Sequence, residues 1–503
     1  MTRLDIKLCL VFLLWCLLAA PARIEATPAP GAEPGPAGLE LSLEQAVLLS
    51  LENNRSLKIE RLNPAIAEAY EARERAAFDP RLSAGYQYSE DKSLQQSRIL
   101  GKTYDVKNER TVADAGITQA LPTGATVGLE FSTTKTVSDL YGDYTYTRAG
   151  LSINQSLLRG FGLKPNLASL RQAKLDTFAS RYELKGFTQA LTADVESAYW
   201  DYALALLKMD IYTESLALAE RHAADVREMI MVGSLAPIDQ AASLAEAAQR
   251  KVDLINARAA RDQARLSLLR LIGLDREEFL EKEITPLTKP GVPAGELEGL
   301  EAHLETALKM RPDLNQARLS LQRNELEIAR TKNGVLPRLD LFITLGETGY
   351  SDSFNESLEE MNGDRYDALL GVEFEYPLGG REAKAIHHQA TFQMSQAEEA
   401  VENLAHLVRL EVLDAYLEVK RARELVEAQA ALLNFQEQKA LAEDEKFRVG
   451  KSTSILVAQA QRDLLASRVS EAETIINCLK AFVKLYLAEG SLLERRGISI
   501  DDQ

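Results

Sequence analysis

The chain has 503 residues, 58 Lys and Arg against 75 Asp and Glu, and a formal net charge of −17. An acidic balance of that size argues against a basic face for nucleic acid or anionic lipid, and three cysteines are too few for a disulfide-built scaffold. The length is ample for a buried core and suits several domains or one large repeated architecture.

Residues 1–26 read as a signal peptide. Arg3 and Lys7 precede an apolar run over 8–20, which is too short to span a bilayer, and Ala20-Pro21-Ala22 or the site after Ala26 suits a signal peptidase. Its removal takes three basic and two acidic residues, so the charge moves from −17 to −18. Cys9 and Cys16 leave with it, and Cys478 alone cannot form an intramolecular disulfide. Trp15 stands before Cys16 where a lipoprotein signal needs a small residue, so no acylated N-terminus is expected. Residues 27–41 read as a Pro/Gly-rich linker.

Two large units follow. Repeat 1 (42–272) reads as a helix over 43–78, strands over about 82–157, a long helix over 164–232 and a helix over 237–272. A linker over 273–299 leads to repeat 2 (300–490): a helix over 300–334, strands over about 338–378, a long helix over 381–449 and a helix over 455–489. A tail over 491–503 ends the chain. Gly233 and Gly450 are 217 apart, as are Tyr199 and Tyr416, while Pro80 and Pro337 are 257 apart. The first copy thus carries about 40 extra residues after its proline, which marks duplication of a large unit, not a short solenoid period.

The long helices have a coiled-coil period. In the first, Leu191, Ala198, Ala205, Tyr212, Ala219 and Val226 take a-type positions, and Val195, Tyr202, Met209, Leu216, Ala223 and Ile230 take d-type ones. The second keeps apolar d positions from Val412 to Phe447 but turns polar at a (Gln429, Gln436, Glu443), which predicts a face open to water. At 1.5 Å per residue each long helix spans roughly 100 Å, about the summed length of the two shorter helices of its unit. The predicted object is a tall wall of paired helices.

Between the helices the period is two. Val127, Leu129 and Phe131 alternate with polar residues, as do Leu151 and Ile153, Leu339 to Leu345, and Leu370, Val372 and Phe374. Such strands suit a half-exposed soluble sheet or a membrane barrel. A tight turn at 121–124 set against long polar connections over 90–110, 134–145 and 347–366 favours the barrel. Six strands, four and two, fall below the eight a single chain needs to close one, and an open edge is not tolerated in lipid. The chain is therefore expected to share its barrel with copies of itself.

In the order of these pieces the chain resembles the TolC family of outer-membrane efflux channels. The likeness runs from "LSLEQAVLLSLENN" to "LYLAEGSLL", through the joints "QSLLRGFG" and "YPLGG" and the paired "VG" turns. It implies a mainly α fold with membrane β: a homotrimer with one shared β-barrel, one periplasmic α-barrel of coiled-coil helices, an internal two-fold repeat and an equatorial inter-repeat linker. The implied function is a passive exit duct of a tripartite efflux or type I secretion system. Implied partners are a periplasmic adaptor (membrane fusion) protein, through it an inner-membrane transporter, and outer-membrane lipid of a Gram-negative cell. The adaptor-contacting tip then falls on Val232, Gly233, Ser234, Leu235, Val449, Gly450, Lys451 and Ser452. Relatives often narrow the tunnel with aspartates after the second glycine; here those positions hold Leu456 and Gln459, with Asp239 in the first copy.

No catalytic, cofactor-binding or metal-ligating set is present. His222, His303, His387, His388 and His406 form no HExxH pair or Cys/His spacing, and "HH" at 387 and 388 is expected on a solvated helix face. "GFG" at 160–162 lacks the spacing of a phosphate loop. An exported structural coiled-coil protein without transport activity would explain the heptads but not the alternating strands.

Overall fold

The computed structural model describes residues 39–96, 101, 103–139, 142–273, 283–293 and 295–499. The expected signal peptide, most of the expected linkers and the last four residues of the tail lie outside them.

Strand β1 (Leu39–Leu41) occupies the end of the segment expected to be linker. Ser42 then starts α1 (Leu43–Asn53) with a capping box: its Oγ accepts from the Gln45 N–H at 3.1 Å, and Gln45 Oε1 accepts from the Ser42 N–H at 2.9 Å. The pattern predicted one helix over 43–78, but α1 is followed by separate helices α2 (Arg55–Glu60) and α3 (Leu62–Arg75). The break is chemical. Asn54 adopts φ −59°, ψ 121° and its Oδ1 caps the Leu57 N–H, the local bond by which Asn competes with helical backbone. The helix predicted over 300–334 breaks likewise into α7 (Leu300–Met310) and α8 (Pro312–Gly334, numbered in chain order) at Arg311, φ −57°, ψ 120°. There Pro312 excludes the helical conformation for its predecessor and serves as the first helical residue.

Strands β2 (Arg81–Gln96), β3 (Thr103–Ala120), β4 (Ala125–Ser138) and β5 (Tyr144–Ser156) lead through α4 (Leu163–Asn166) into the 64-residue α5 (Ala168–Met231). Helix α6 (Ile238–Ile272) returns alongside it, and β6 (Ile284–Pro286) lies in the inter-repeat segment. After α8 come β7 (Arg338–Ser351), the short helix α9 (Phe354–Glu359), β8 (Tyr366–Glu375), the 68-residue α10 (Arg381–Arg448), α11 (Ser454–Ala488) and α12 (Leu492–Arg495). The segments over 90–110 and 134–145, expected as loops, are mostly strand: β2 and β3 pair without interruption to Gln96↔Thr103, and β4 stays on β3 to Ser138↔Asn108. Both faces are polar there, so the alternation that announces a strand is missing.

Each 35-residue helix, α6 and α11, ends at a glycine with left-handed backbone, Gly273 (φ 78°) and Gly490 (φ 72°). Each glycine sits against a helix break, where an added Cβ would lie 2.9 Å from the backbone of Asn53 or 3.0 Å from that of Arg311. The break residues bond back in the same manner. Asn54 Nδ2 donates to the Leu271 carbonyl at 3.0 Å, and Arg311 Nη1 to the Ala488 carbonyl at 3.1 Å.

None of the twelve seam positions of α5 is exposed, and Val195, Tyr202 and Val226 are fully buried. On α10 the polar a positions Gln429, Gln436 and Glu443 are half-buried instead of open to water, and Gln429 Nε2 donates to the Ser467 carbonyl at 3.2 Å. Tyr199 and Tyr202 do more than pack. Their hydroxyls donate to the Leu41 carbonyl (3.0 Å) and the Ile284 carbonyl (2.7 Å), clamping the parallel β1–β6 ribbon to α5. Cys478 is buried, and burial pushes its thiol pKa up against the opposing pull of Arg423. Among the described residues no helix is long and apolar enough to cross a membrane.

Beside the α11 terminus the buried His303 Nδ1 meets the buried Glu489 Oε2 at 2.5 Å, and Glu489 Oε1 also accepts from Arg495 Nε at 2.8 Å. The positions offset by 257 and 217 hold Ala46 and Ile272, both buried. Removing a buried carboxylate strands the donors that it satisfied, and taking one of those donors away as well relieves part of the cost. Glu489→Ile alone, which leaves both His303 and Arg495 without this acceptor, is therefore expected to destabilise the protein by about 3 kcal/mol, and adding His303→Ala is expected to recover part of that loss. Thermal unfolding of the detergent-solubilised variants checks the difference.

Candidate functional site at the sheet and the hairpin ends

All six long strands form one antiparallel sheet in the order β2-β3-β4-β5-β7-β8. Registers are unbroken, so side-chain alternation assigns every residue to one of two faces. One face gathers Leu82, Ile117, Leu129, Leu151, Leu345 and Leu370, every one of them exposed, Leu82 at 77% and Leu370 at 71%. So contiguous an apolar surface is rare on a soluble monomer. The opposite face is polar and carries Asp114, Glu130, Arg148, Asp367 and Glu373.

That polar face also has one glycine on each strand: Gly85, Gly116, Gly128, Gly150, Gly346 and Gly371. Most of them leave room for a neighbouring side chain to lie along the sheet. An added Cβ would fall 2.6 Å from the Asp114 carboxylate at Gly85, 2.7 Å from the Arg148 guanidinium at Gly150, and 2.3 Å from the Phe342 ring at Gly371. Arg148 spans Gly346 to make a two-bond pair with Asp367, at 3.0 and 2.7 Å. Strands β2 and β8 are the sheet's ends, each paired on one side only.

The sheet joins the helices through glycines that need positive φ. Gly160 (85°) and Gly162 (91°) form the turn into α4, and Asn166 Nδ2 pins it by donating to both their carbonyls, at 2.6 and 2.8 Å. Gly380 (54°) opens α10. His387, expected on a solvated face, is half-buried with its Nδ1 3.2 Å from Thr331 Oγ1, while His388 is exposed.

The far ends of the two hairpins lie together. Gly233 (φ 81°) and Gly450 (φ 72°) each close a helix with the same pair of bonds. The Gly233 N–H donates to Ile230 and the Ser234 N–H to Met229; the Gly450 N–H donates to Phe447 and the Lys451 N–H to Lys446. This is the Schellman arrangement, which requires a left-handed residue. Val226, Phe447 and Val457 are buried between the ends, with Met229, Ile230 and Leu235 around them.

Of the eight turn residues, Leu235 joins this cluster and Ser452 donates to Glu443 Oε2 at 2.8 Å, whereas Val232, Gly233, Ser234, Val449, Gly450 and Lys451 face outward. Val232 (72%) and Val449 (65%) expose most of their surface. Asp239 is half-buried in the first turn of α6, while Leu456 and Gln459 are exposed on α11; no hydrogen bond or ion pair joins Asp239 to either among the described residues.

One junction residue was not singled out by the heptad pattern. His222, buried on α5, is hydrogen-bonded to Ser454 Oγ at 3.1 Å, with its ring 5.2 Å from that of Phe447. Only its position four residues before Val226, on the same helix face, could have pointed to it. Among the described residues no cluster of His, Cys, Asp and Glu could hold a metal ion.

Three comparisons bear on this geometry. The family model described as outer membrane efflux protein matches residues 303–491. The cobalt-zinc-cadmium resistance protein CzcC of Cupriavidus metallidurans is 24% identical over 309 residues, 60% of this chain and 69% of that protein. The probable efflux pump outer membrane protein TtgC of Pseudomonas putida is 24% identical over 468 residues, 89% of this chain and 83% of that one. Among solved structures, CusC superposes with a TM-score of 0.65 at 17% identity, covering 94% of this chain and 99% of its own. VceC of Vibrio cholerae gives 0.66 at 14% identity, covering 89% and 96%.

Burial lowers the pKa of His222 from its ordinary value of 6.5, against the opposing pull of Asp225 and Asp444. The unfolded junction then takes up a proton before the folded one. The contribution is complete above about 6.5 and is lost as pH falls below it, by at most about 1.4 kcal/mol per pH unit. Hydrogen exchange over 222–232 and 447–457, corrected for intrinsic rate, is expected to rise between pH 7.5 and 5. His222→Leu should flatten that rise.

Proposed function

We propose, for a chain whose residues 303–491 match the outer membrane efflux protein family and whose fold is that of the channels CusC and VceC along its length, that it is the outer-membrane exit duct of an efflux system. The observation that carries this reading is the six-stranded sheet. It has an exposed apolar face, a polar face and two half-paired edges, and it stands on helical hairpins about 100 Å long.

Each part has a task. The apolar face meets outer-membrane lipid, and the polar face lines a water-filled lumen. Three copies close one barrel by pairing β2 of one with β8 of the next, for eighteen strands in all, and the hairpins form one periplasmic tunnel below it. Closure satisfies the edge amides that lipid cannot. Cargo moves passively along this path. The helix breaks at Asn54 and Arg311, 257 apart, and the capping glycines Gly273 and Gly490, 217 apart, support descent of the two halves from one duplicated unit.

The outward residues of the two turns, with exposed Ile238 and Ile455 beside them, form the surface that receives a periplasmic adaptor protein, which links the duct to an inner-membrane transporter. The names of the relatives concern cobalt, zinc and cadmium in one case and an efflux pump in another. The cargo of this chain follows from the adaptor and transporter it joins.

Two measurements test the reading. The purified protein is expected to be a trimer in mild detergent and to open stable conductances in planar bilayers; a monomer without conductance would overturn it. Gly233→Trp with Gly450→Trp should abolish export while trimer yield and conductance persist, because neither site lies near the sheet. Ala at His387 and His388 serves as the control and should export normally.

A further inference from the structure

We propose that α9 is an interfacial helix, lying on the lipid-facing side of the sheet at the outer edge of the membrane and presenting Phe354 and Leu358 to the boundary between headgroups and acyl chains. The proposal rests on the outer-membrane reading. The connection over 347–366 would otherwise stand as a polar loop above the barrel or fold into its lumen.

The register decides the side. Thr147 pairs with Gly349, and pairing runs unbroken from Thr145↔Ser351 to Ser156↔Asp340. Alternation therefore sets Thr147 and Gly349 on the same face as Leu151, Ile153, Ile343 and Leu345, the apolar face. Helix α9 is held to that face. Ser357 Oγ is hydrogen-bonded to Thr147 Oγ1 at 2.7 Å, with both residues fully buried. The lumen side at this level holds Tyr146 and Tyr350 instead, ring to ring at 6.0 Å.

Gly349 records the closeness of the approach. Its backbone is ordinary strand, yet an added Cβ would fall 1.8 Å from the Ser357 carbonyl oxygen and 3.1 Å from Met361. Nothing in its conformation requires glycine; the helix seated on it does. Glu347, a carboxylate beside apolar residues of that face, is satisfied by the same segment, since the Gly363 N–H donates to its Oε1.

Depth follows from the strand. From Leu339, at the first turn of β7, to Gly349 is ten residues, which at about 3.4 Å each and a tilt near 40° rise roughly 25 Å, the height of the apolar band of an outer-membrane barrel. Helix α9 sits at the upper limit of that band. Phe354 and Leu358, four apart on one helix face, are 46% and 43% exposed while Ser357 is buried beneath them. Tyr366, opposite Glu347 on the apolar face, is 76% exposed. An aromatic-bearing rim at this height fits the interfacial girdle of such barrels. The helix covers β5 and β7, the fourth and fifth strands of six, so neither sheet edge needs it for assembly.

Tryptophan quenching tests the placement in the full-length trimer reconstituted into phosphatidylcholine vesicles. Trp200 is buried in α5, roughly 48 Å of helix from its sheet end, and gives a constant background. Phe354→Trp is expected to lose emission to lipid brominated near the headgroup, and to resist aqueous iodide, as Leu345→Trp does with lipid brominated deeper in the chain. Adding Gly349→Val should lift α9 and convert the Phe354→Trp signal from lipid-quenched to iodide-quenched. Quenching of Phe354→Trp by iodide alone, with Leu345→Trp still quenched by lipid, would overturn the proposal and leave the membrane reading intact. Shielding from both quenchers would mean that another protein surface covers α9, and would also overturn it. An unchanged signal on adding Gly349→Val would refute the seating on β7. Loss of lipid quenching at Leu345→Trp as well would remove the membrane reading and the proposal together.

Discussion

A strand in hydrocarbon has no water to take its unpaired amides, and each one left open costs several kcal/mol. The six-stranded sheet of this chain ends in two such edges, β2 and β8. Much of the rest follows from that. In the proposed duct, edge pairing comes from other copies, so the polar face becomes a shared lumen, and every copy must arrive with its sheet held at the same angle. The rigid joints at Gly160–Gly162 and Gly380, where chain direction changes between sheet and helix, set that angle.

The helical part meets a different demand. Helices of 64 and 68 residues cannot be held along their length by one compact core, and the buried residues fall accordingly into separate clusters. One gathers where the Asn54 break and the β1–β6 ribbon meet α5, a second lies between α10 and α11 beside the Arg311 break, and a third locks the far ends together. Between them the seam on α10 is half polar, and Gln429 finds a partner across the hairpin in the Ser467 carbonyl. The middle of the wall is thus the least apolar part of it.

Long-range periodicity was the most legible feature. The heptads of α5, the alternation in β4, β5, β7 and β8, and both glycine turns could be read from spacing, because each expresses one repeated geometric need. What escaped were features set by contact with distant chain. Asn54 and Arg311 stand at local breaks in sequences of good helical pattern, and their side chains gain a second role only when they reach the ends of α6 and α11, more than 170 residues away. The strand ends near Gln96 and Ser138 carry no alternation since neither face is apolar. His222 reads as one more polar residue on a long helix until Ser454 is brought against it. Helix α9 was hidden for the same reason: Ser357 and Gly349 acquire meaning only when the strand beneath is in register.

The row of glycines on the polar face changes what the passage presents to anything moving through it. Arg148 lies over Gly150 and Gly346, Asp114 over Gly85 and Phe342 over Gly371, so bulky groups recline against the wall in place of pointing across it. Side chains that stand upright narrow a conduit and offer flexible arms that can grip a solute. Reclined ones leave a wide bore with a smooth lining on which charges of both signs sit side by side, Arg148 beside Asp367 among them. In the proposed duct such a surface exerts little drag on passengers of unlike chemistry and retains none of them strongly, so discrimination falls to the machinery that loads it from below.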